Sequence, residues 1–206
     1  MVIGEVEKPV VVAVTGTHST GKSTFLARLA HELRRVQVQV STVADLGEQA
    51  QRIGLPILRN HTWLSTEWII TKGISDELGA WVHADVVLVD RPVSDALGYY
   101  RAALAHRGDR AEPRVMARLE RIVRDHSVFY DLLLRTTLDP DIPLGCDKPR
   151  DADAEFRSLA DHHVAEVLHD LDLPHRLLPA DGHDQALEDS LGLVLDRLAG
   201  TRDGRP

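Results

Sequence analysis

Gly16 and Gly21 stand five residues apart in the stretch GTHSTGKST, with Lys22, Ser23 and Thr24 directly behind them. Glycines at this spacing let a backbone curl until successive N–H groups point at one centre. A helix that begins there adds its positive end to the same centre. Lys22 then reaches the β- and γ-phosphates of a bound nucleotide, and the Ser23 hydroxyl takes a place on Mg²⁺. This is the Walker A pattern. Its residues Gly16, Thr17, His18, Ser19, Thr20, Gly21, Lys22, Ser23 and Thr24 are expected to cradle a nucleoside triphosphate, His18 through its backbone N–H.

Such a site needs a second acid at the tip of a neighbouring apolar strand to hold the metal's water shell. VVLVD, ending at Asp90, supplies it; the same residue could also cap a following helix. A motor or remodelling ATPase wants a carboxylate just after that acid to polarise water. Here the next residue is Arg91, a cation suited to gripping a phosphate or acceptor oxygen. A GTPase would carry Asn-Lys-x-Asp to read its base, and the chain has none. Asp76-x-x-Gly79 resembles a GTPase switch motif but falls inside a helical pattern.

These groups need a frame that brings them together. PVVVAV (9–14) is a β-branched run, as in a strand buried on both faces. Further strands are predicted at 36–43, 84–90, 128–137 and 175–180. Helices are predicted after the phosphate loop (22–35) and at 46–53, 62–81, 93–106, 113–126, 154–171 and 183–199, with Gly79 and Gly200 suiting helix ends. Strands alternating with helices imply an α/β fold with a parallel sheet covered on both faces. One domain over 1–206 is expected, with 1–7 and 200–206 frayed.

Composition agrees. The 206 residues are 43% hydrophobic and 27% charged, as in an ordinary globular domain. A net charge of −8 argues against nucleic acid or an anionic membrane as the main partner. A single cysteine, Cys146, excludes an intrachain disulfide and a cysteine zinc site. MVIGEVEKP lacks a signal peptide's apolar region, and no run reaches 18 apolar residues, so a cytoplasmic protein is expected. Eleven histidines include no His-Glu-x-x-His spacing; His162, His163 and Glu166 read as a solvated helix face.

A phosphotransferase asks for an acceptor site, for cations on the transferring phosphoryl and for a lid against water. Asp45, Glu48 and Arg52 follow the second strand and fall beside the phosphate loop in a right-handed sheet. Asp45 could take a hydroxyl proton or orient a diol; it could equally cap the helix at 46–53. The turn-rich stretch LDPDIPLGCDKPRD (138–151) reads as a lid, extending to about 158, with Lys148, Arg150 and Arg157 in and just after it. In PILRNHTWLSTEWIITKG, Trp63 and Glu67 share a helix face. That segment reads either as the acceptor pocket or as a core or dimer helix.

GTHSTGKST, DRPVSDALGYYR and PDIPLGCDKPRD…FR together resemble the small P-loop ATPase and kinase group that includes ribosylnicotinamide-kinase domains. More distantly they resemble thymidylate and deoxynucleoside kinases. The resemblance spans about residues 9 to 190. It implies a P-loop NTPase three-layer sandwich with five parallel strands in the order 2-3-1-4-5. It also implies Asp90 and Arg91 between metal and acceptor, Arg150 and Arg157 as lid arginines, and Asp45 or Glu48 on the acceptor. Where ribosylnicotinamide kinases carry a Trp and an Asp-Gly before the lid arginine, this chain reads PLGCDKPR.

The expectation is therefore a kinase that uses ATP, with GTP not excluded, and Mg²⁺ to phosphorylate a hydroxyl of a nucleoside-like or other small metabolite. The roles assigned are Lys22 and Arg91 with Arg150 on the phosphoryl, Ser23 and Asp90 on the metal, Asp45 as base, and Glu48, Arg52, Trp63 and Glu67 around the acceptor. A regulatory nucleotide-binding protein acting through the 56–81 segment is the alternative. A homodimer is left open.

Overall fold

The computed structural model describes residues 6–138 and 154–203. The strand predicted at 9–14 is β1 (Val10–Thr15), buried along its whole length. The phosphate loop follows, then α1 (Lys22–Arg35). β2 (Val40–Val43) is shorter than the predicted 36–43. The alternation VQVQV imitates a strand, but Val36 N and Val38 N both donate to Leu33 O and Gln37 has a φ of 63°, so residues 36–38 turn the chain out of α1. Next come α2 (Gly47–Arg52), a 3₁₀ turn at Leu58–Asn60, α3 (Trp63–Trp81) and β3 (Val86–Asp90). Then follow α4 (Val93–Arg107), α5 (Pro113–Ser127) and β4 (Leu132–Thr136). The chain finishes with α6 (Ala154–Asp170), β5 (Arg176–Leu178) and α7 (His183–Asp203).

Two glycines do not end helices as predicted. Gly79 lies inside α3, and α7 runs through Gly200 to Asp203. The predicted strand at 128–137 begins four residues late, because Phe129 N and Tyr130 N donate to His126 O and Ser127 O in a turn closing α5. Asp76 and Gly79 are both helical, which removes the switch-motif reading.

The five strands form one parallel sheet in the order β2-β3-β1-β4-β5, as the resemblance implied. Alternation sorts β1 between two cores. Val10, Val12 and Val14 pack with Phe25, Leu29 and Leu33 of α1 and with α7. Val11 and Ala13 pack with residues of α3, α4, α5 and α6, including Ile70, Leu97, Leu119 and Val167. Within the sheet β1 pairs with β3 on one edge and β4 on the other, so the loop after β1 emerges at the strand-order reversal, where α/β sheets bind ligands.

α4 and α6 approach closely at Gly98. A Cβ there would fall 2.6 Å from Val164 Cγ2 and 2.8 Å from Val164 Cα. That contact sets Tyr99 against Phe156 in a third core cluster and fixes where α6 crosses the phosphate loop. Among the described residues, no helix is long and apolar enough to cross a membrane.

Candidate active site

The phosphate loop is built by three unusual backbone conformations. Gly16 has φ +130°, Ser19 +62° and Gly21 +84°. A Cβ on Gly16 would stand 2.2 Å from Thr136 Oγ1, so β4 closes the space a side chain would need. Thr136 Oγ1 donates to Thr15 O at 3.1 Å and lies 2.6 Å from Thr20 Oγ1. Thr20 Oγ1 also donates to Thr17 O at 2.9 Å. The loop is thus tied to the tip of β4.

Tyr99 of α4 ties it on the other side. Its hydroxyl accepts from His18 N at 3.0 Å and lies 3.1 Å from His18 Nδ1. Thr17 Oγ1 is 3.4 Å away. Arg157 of α6 donates from Nε to His18 O and from Nη2 to Ser19 O, each at 3.3 Å. Arg157 is buried, and these contacts make it a brace for the loop carbonyls.

Lys22 is folded inward, its Nζ donating to Thr17 O. Burial lowers its pKa to about 7, helped by the nearby Arg91 and opposed by Asp95, Asp90 and Asp45. Ser23 Oγ donates to Asp90 Oδ2 at 2.5 Å, which brings the expected metal-side pair together across β1 and β3.

Arg91 is the centre of the charge network. Its Nε lies 2.8 Å from Asp45 Oδ2 in an ion pair, and Nη1 donates to Tyr99 Oη at 3.2 Å and to Asp95 Oδ2 and Gly16 O at 3.4 Å. Burial opposes the charge on Arg91, but Tyr99, Asp45, Asp95 and Asp90 outweigh it and hold its pKa well above the ordinary value. The residue has φ +70°, a conformation costing about 1–3 kcal/mol for a side-chain-bearing residue, which the surrounding contacts must offset.

Asp45 also accepts from Gly47 N at 2.9 Å; Leu46 is the N-cap of α2, so Asp45 braces the turn just before the helix instead of capping it, and meets Arg91 at the same time.

A single cavity of about 340 Å³ joins these groups to the expected acceptor side. Residues 18–24 of the loop and its helix line it, together with Asp45, Glu48, Asp90 and Arg91. Leu58, His61, Ile69, Gly73 and Glu77 line it as well. Arg52, Trp63 and Glu67 are not among the lining residues. Arg52 points outward to Glu48 at 3.5 Å, Trp63 is 49% exposed, and Glu67 pairs with Arg118 of α5. α3 turns a different face to the cavity than the Trp63–Glu67 face. Arg150 and Lys148, with the lid stretch to residue 153, lie outside the described residues.

Of three further residues, His61 lay in the segment already read as a possible acceptor pocket, whereas Asp95 and Tyr99 escaped the sequence reading. Asp95 is buried and accepts from Thr15 Oγ1; burial pushes its pKa up to about 6 against the pull of Arg91, Lys22 and Thr15. His61 is buried in the cavity wall, where burial pushes its pKa down to about 4, and its Nδ1 donates to Leu58 O at 3.0 Å. The third, Tyr99, follows Arg91 by eight residues and Asp95 by four, a helical spacing legible in DRPVSDALGYYR. His162 and His163 both pair with Glu166, and no group of three metal-binding side chains occurs among the described residues.

The donor set fits a triphosphate with a hard divalent cation. Gly16 and Gly21 adopt the positive φ of the loop where a side chain would strike Thr136 and His183, Lys22 lies against the loop it would reach out from, and Ser23 with Asp90 offers oxygen ligands. Sheet order, loop and acid define a P-loop NTPase fold.

The chain belongs to the family described as AAA domain, whose model matches residues 11–185. No curated protein matches the sequence. Among solved structures it is similar to a NadR protein in complex with NR, at 17% identity and a TM-score of 0.61, over 92% of this chain and 50% of that one. The chain thus spans half the length of that protein. It is also similar to thymidylate kinase from Ehrlichia chaffeensis, at 15% identity and a TM-score of 0.52, over 84% of this chain and 88% of that one. These likenesses show a P-loop fold of the kind found in kinases.

Proposed function

We propose that the protein is an ATP- and Mg²⁺-dependent kinase that phosphorylates a hydroxyl of a nucleoside-like small metabolite. The observation that carries this reading is the continuity of the cavity. The phosphate loop and a space lined by Leu58, His61, Ile69 and Gly73 are parts of one volume of about 340 Å³, which Asp90 and Arg91 also line. A volume of this order suits a small ligand.

In this reading the acceptor oxygen forms a bond to the γ-phosphorus as the bond from that phosphorus to the bridging oxygen of ADP breaks. Asp45 takes the hydroxyl proton, and Arg91, held beside it at 2.8 Å, faces the charge on the transferring group. Lys22 meets the β- and γ-phosphates from the loop side. Ser23 and Asp90 would hold Mg²⁺, which supplies charge neutralisation of the phosphate oxygens. Catalysis then rests on positioning and charge stabilisation. GTP could replace ATP, because no base-reading motif is recognisable.

A regulatory ATPase acting through a protein partner is the second reading. Its support is the exposure of Trp63 and Leu64 at the start of α3, 49% and 53%. Measuring ADP release with Mg²⁺ and ATP, alone and with a panel of nucleosides, separates the two. Strong stimulation by one compound with its phosphorylated mass supports the kinase. Slow release indifferent to every compound, together with capture of a partner that Trp63→Ala abolishes, supports the regulator.

A further inference from the structure

One group lining the cavity has no part in phosphoryl transfer. Glu77 is 2% exposed, in a wall whose neighbouring members are apolar: Ile69 and Gly73 on α3, and Val93 and Ala96 on α4. Ile69, Gly73 and Glu77 recur every four residues and so form one face of the helix. Placing a carboxyl group in apolar surroundings is costly unless it is hydrogen-bonded.

Both of its visible partners come from α5 and the turn after it. His126 Nε2 lies 2.8 Å from Glu77 Oε2, and Tyr130 Oη donates to Oε1 at 3.2 Å. Tyr130 Oη in turn accepts from Val93 N at 3.4 Å. Burial, with Glu77 beside it, holds the Tyr130 pKa well above its ordinary value, so the phenol keeps its proton and stays a donor. A carboxyl oxygen has two lone pairs. After one contact each, both oxygens of an ionised Glu77 retain accepting capacity.

Gly73 shapes the approach to this group. A glycine in mid-helix costs about 1 kcal/mol relative to alanine. A Cβ at this position would already touch Leu46 Cδ1 at 3.7 Å and Val93 Cγ1 at 3.9 Å, so any longer side chain would fill the slot between them. The result is an apolar slot beside an oriented carboxyl group.

We infer that Glu77 selects the acceptor by receiving a hydrogen bond from an N–H or O–H donor on its ring, away from the reacting hydroxyl, with the ring in the slot beside Gly73. The assignment of the reacting hydroxyl rests on the kinase reading; the binding preference does not. His126 and Tyr130 are positioning residues that orient the carboxyl group.

The test uses the full chain and matched pairs of probes of which one member lacks the ring donor: cytidine and 2-pyrimidinone riboside, adenosine and purine riboside, and pyridine ribosides bearing a carboxamide or a carboxylate. Binding is read by calorimetry, and phosphorylation by product mass. The donor-bearing member of at least one pair is expected to bind tenfold or more tightly, because a site built around a polar contact rejects the analogue lacking it. Glu77→Gln should reduce that preference to within about threefold while affinity for ATP stays within twofold.

Separation of a pair in binding without any phosphorylated product would uphold the subsite and overturn the kinase reading. Phosphorylation with a preference under threefold, or one unchanged in Glu77→Gln, would overturn the subsite and leave the kinase. Failure of every probe to bind would overturn the subsite as well. Should Glu77→Gln not fold, Tyr130→Phe is expected to weaken binding of the preferred member three- to tenfold and that of its pair by less than twofold. Equal loss for both members would mean a purely structural role.

Discussion

Arg91 Nε and Asp45 Oδ2 form an ion pair at 2.8 Å, joining the residue after β3 to the acid just before α2. The pair lies in the wall of the cavity that the phosphate loop also lines. In the kinase reading proposed above, this would set a base and a phosphoryl-stabilising cation side by side, each fixing the other's orientation. Asp45→Asn keeps the shape and the contact to Gly47 N but removes the proton acceptor. It is expected to lower kcat by about 10²-fold or more, the usual scale for a positioned general base, with ATP affinity within threefold. Steady-state kinetics and nucleotide titration check this, and a kcat within threefold of the parent would remove Asp45 from the role.

Tyr99 links the same arginine to the phosphate loop, accepting from His18 N at 3.0 Å and from Arg91 Nη1 at 3.2 Å. Tyr99→Phe keeps the ring in its core cluster and deletes these contacts. At about 1 kcal/mol for each hydrogen bond lost, ATP affinity should fall roughly five- to thirtyfold. Calorimetric titration with ATP and Mg²⁺ reads the change; thermal stability should fall by less than the affinity implies, since the buried ring remains.

Gly16 and Gly54 both have positive φ, but their surroundings differ. A Cβ on Gly16 would collide with Thr136, whereas nothing lies within 4 Å of the corresponding position on Gly54. Gly54→Ala should cost only the backbone strain, about 1–2 kcal/mol. Gly16→Ala adds overpacking and should cost about 1–3 kcal/mol more, as well as abolishing nucleotide binding. Urea unfolding of the two variants makes the comparison.

Lys22 carries a pH dependence. Burial holds its pKa at about 7 in the free loop, against an ordinary 10.5. A bound triphosphate favours the charged amine and raises that pKa. At pH 8, binding should therefore take up a proton, approaching one per site, and affinity should fall towards tenfold per pH unit as pH rises above 7. Below pH 6 Lys22 is already charged, and its contribution to proton uptake disappears. Calorimetry at pH 8 in buffers of different ionisation enthalpy reads the uptake, and Lys22→Met should abolish it.

The nucleotide half of the site was legible because its chemistry is contiguous. A β-branched strand, two spaced glycines and Lys-Ser define a strand, loop and helix within residues 10–35, and Asp90 ends an unmistakable apolar run. The rest of the cavity wall is assembled from separate elements. Periodicity shows that Trp63 and Glu67 share a face of α3, but not which way that face points; the sheet and α4 decide that it is Ile69, Gly73 and Glu77 that meet the cavity. The Glu77 contacts to His126 and Tyr130 bridge about fifty residues and leave no local pattern. Arg157 was foreseen near the phosphates, yet its position on α6 makes it a brace for the loop carbonyls.

The most direct test of the central claim follows the γ-phosphoryl itself. ATP labelled in that group is incubated with the protein, Mg²⁺ and the best-bound nucleoside probe, and the label is partitioned between probe and inorganic phosphate. Phosphoryl transfer predicts most of the label on the probe, with Asp45→Asn slowing its appearance. Label found only in inorganic phosphate, at a rate indifferent to the probe, would contradict the kinase reading.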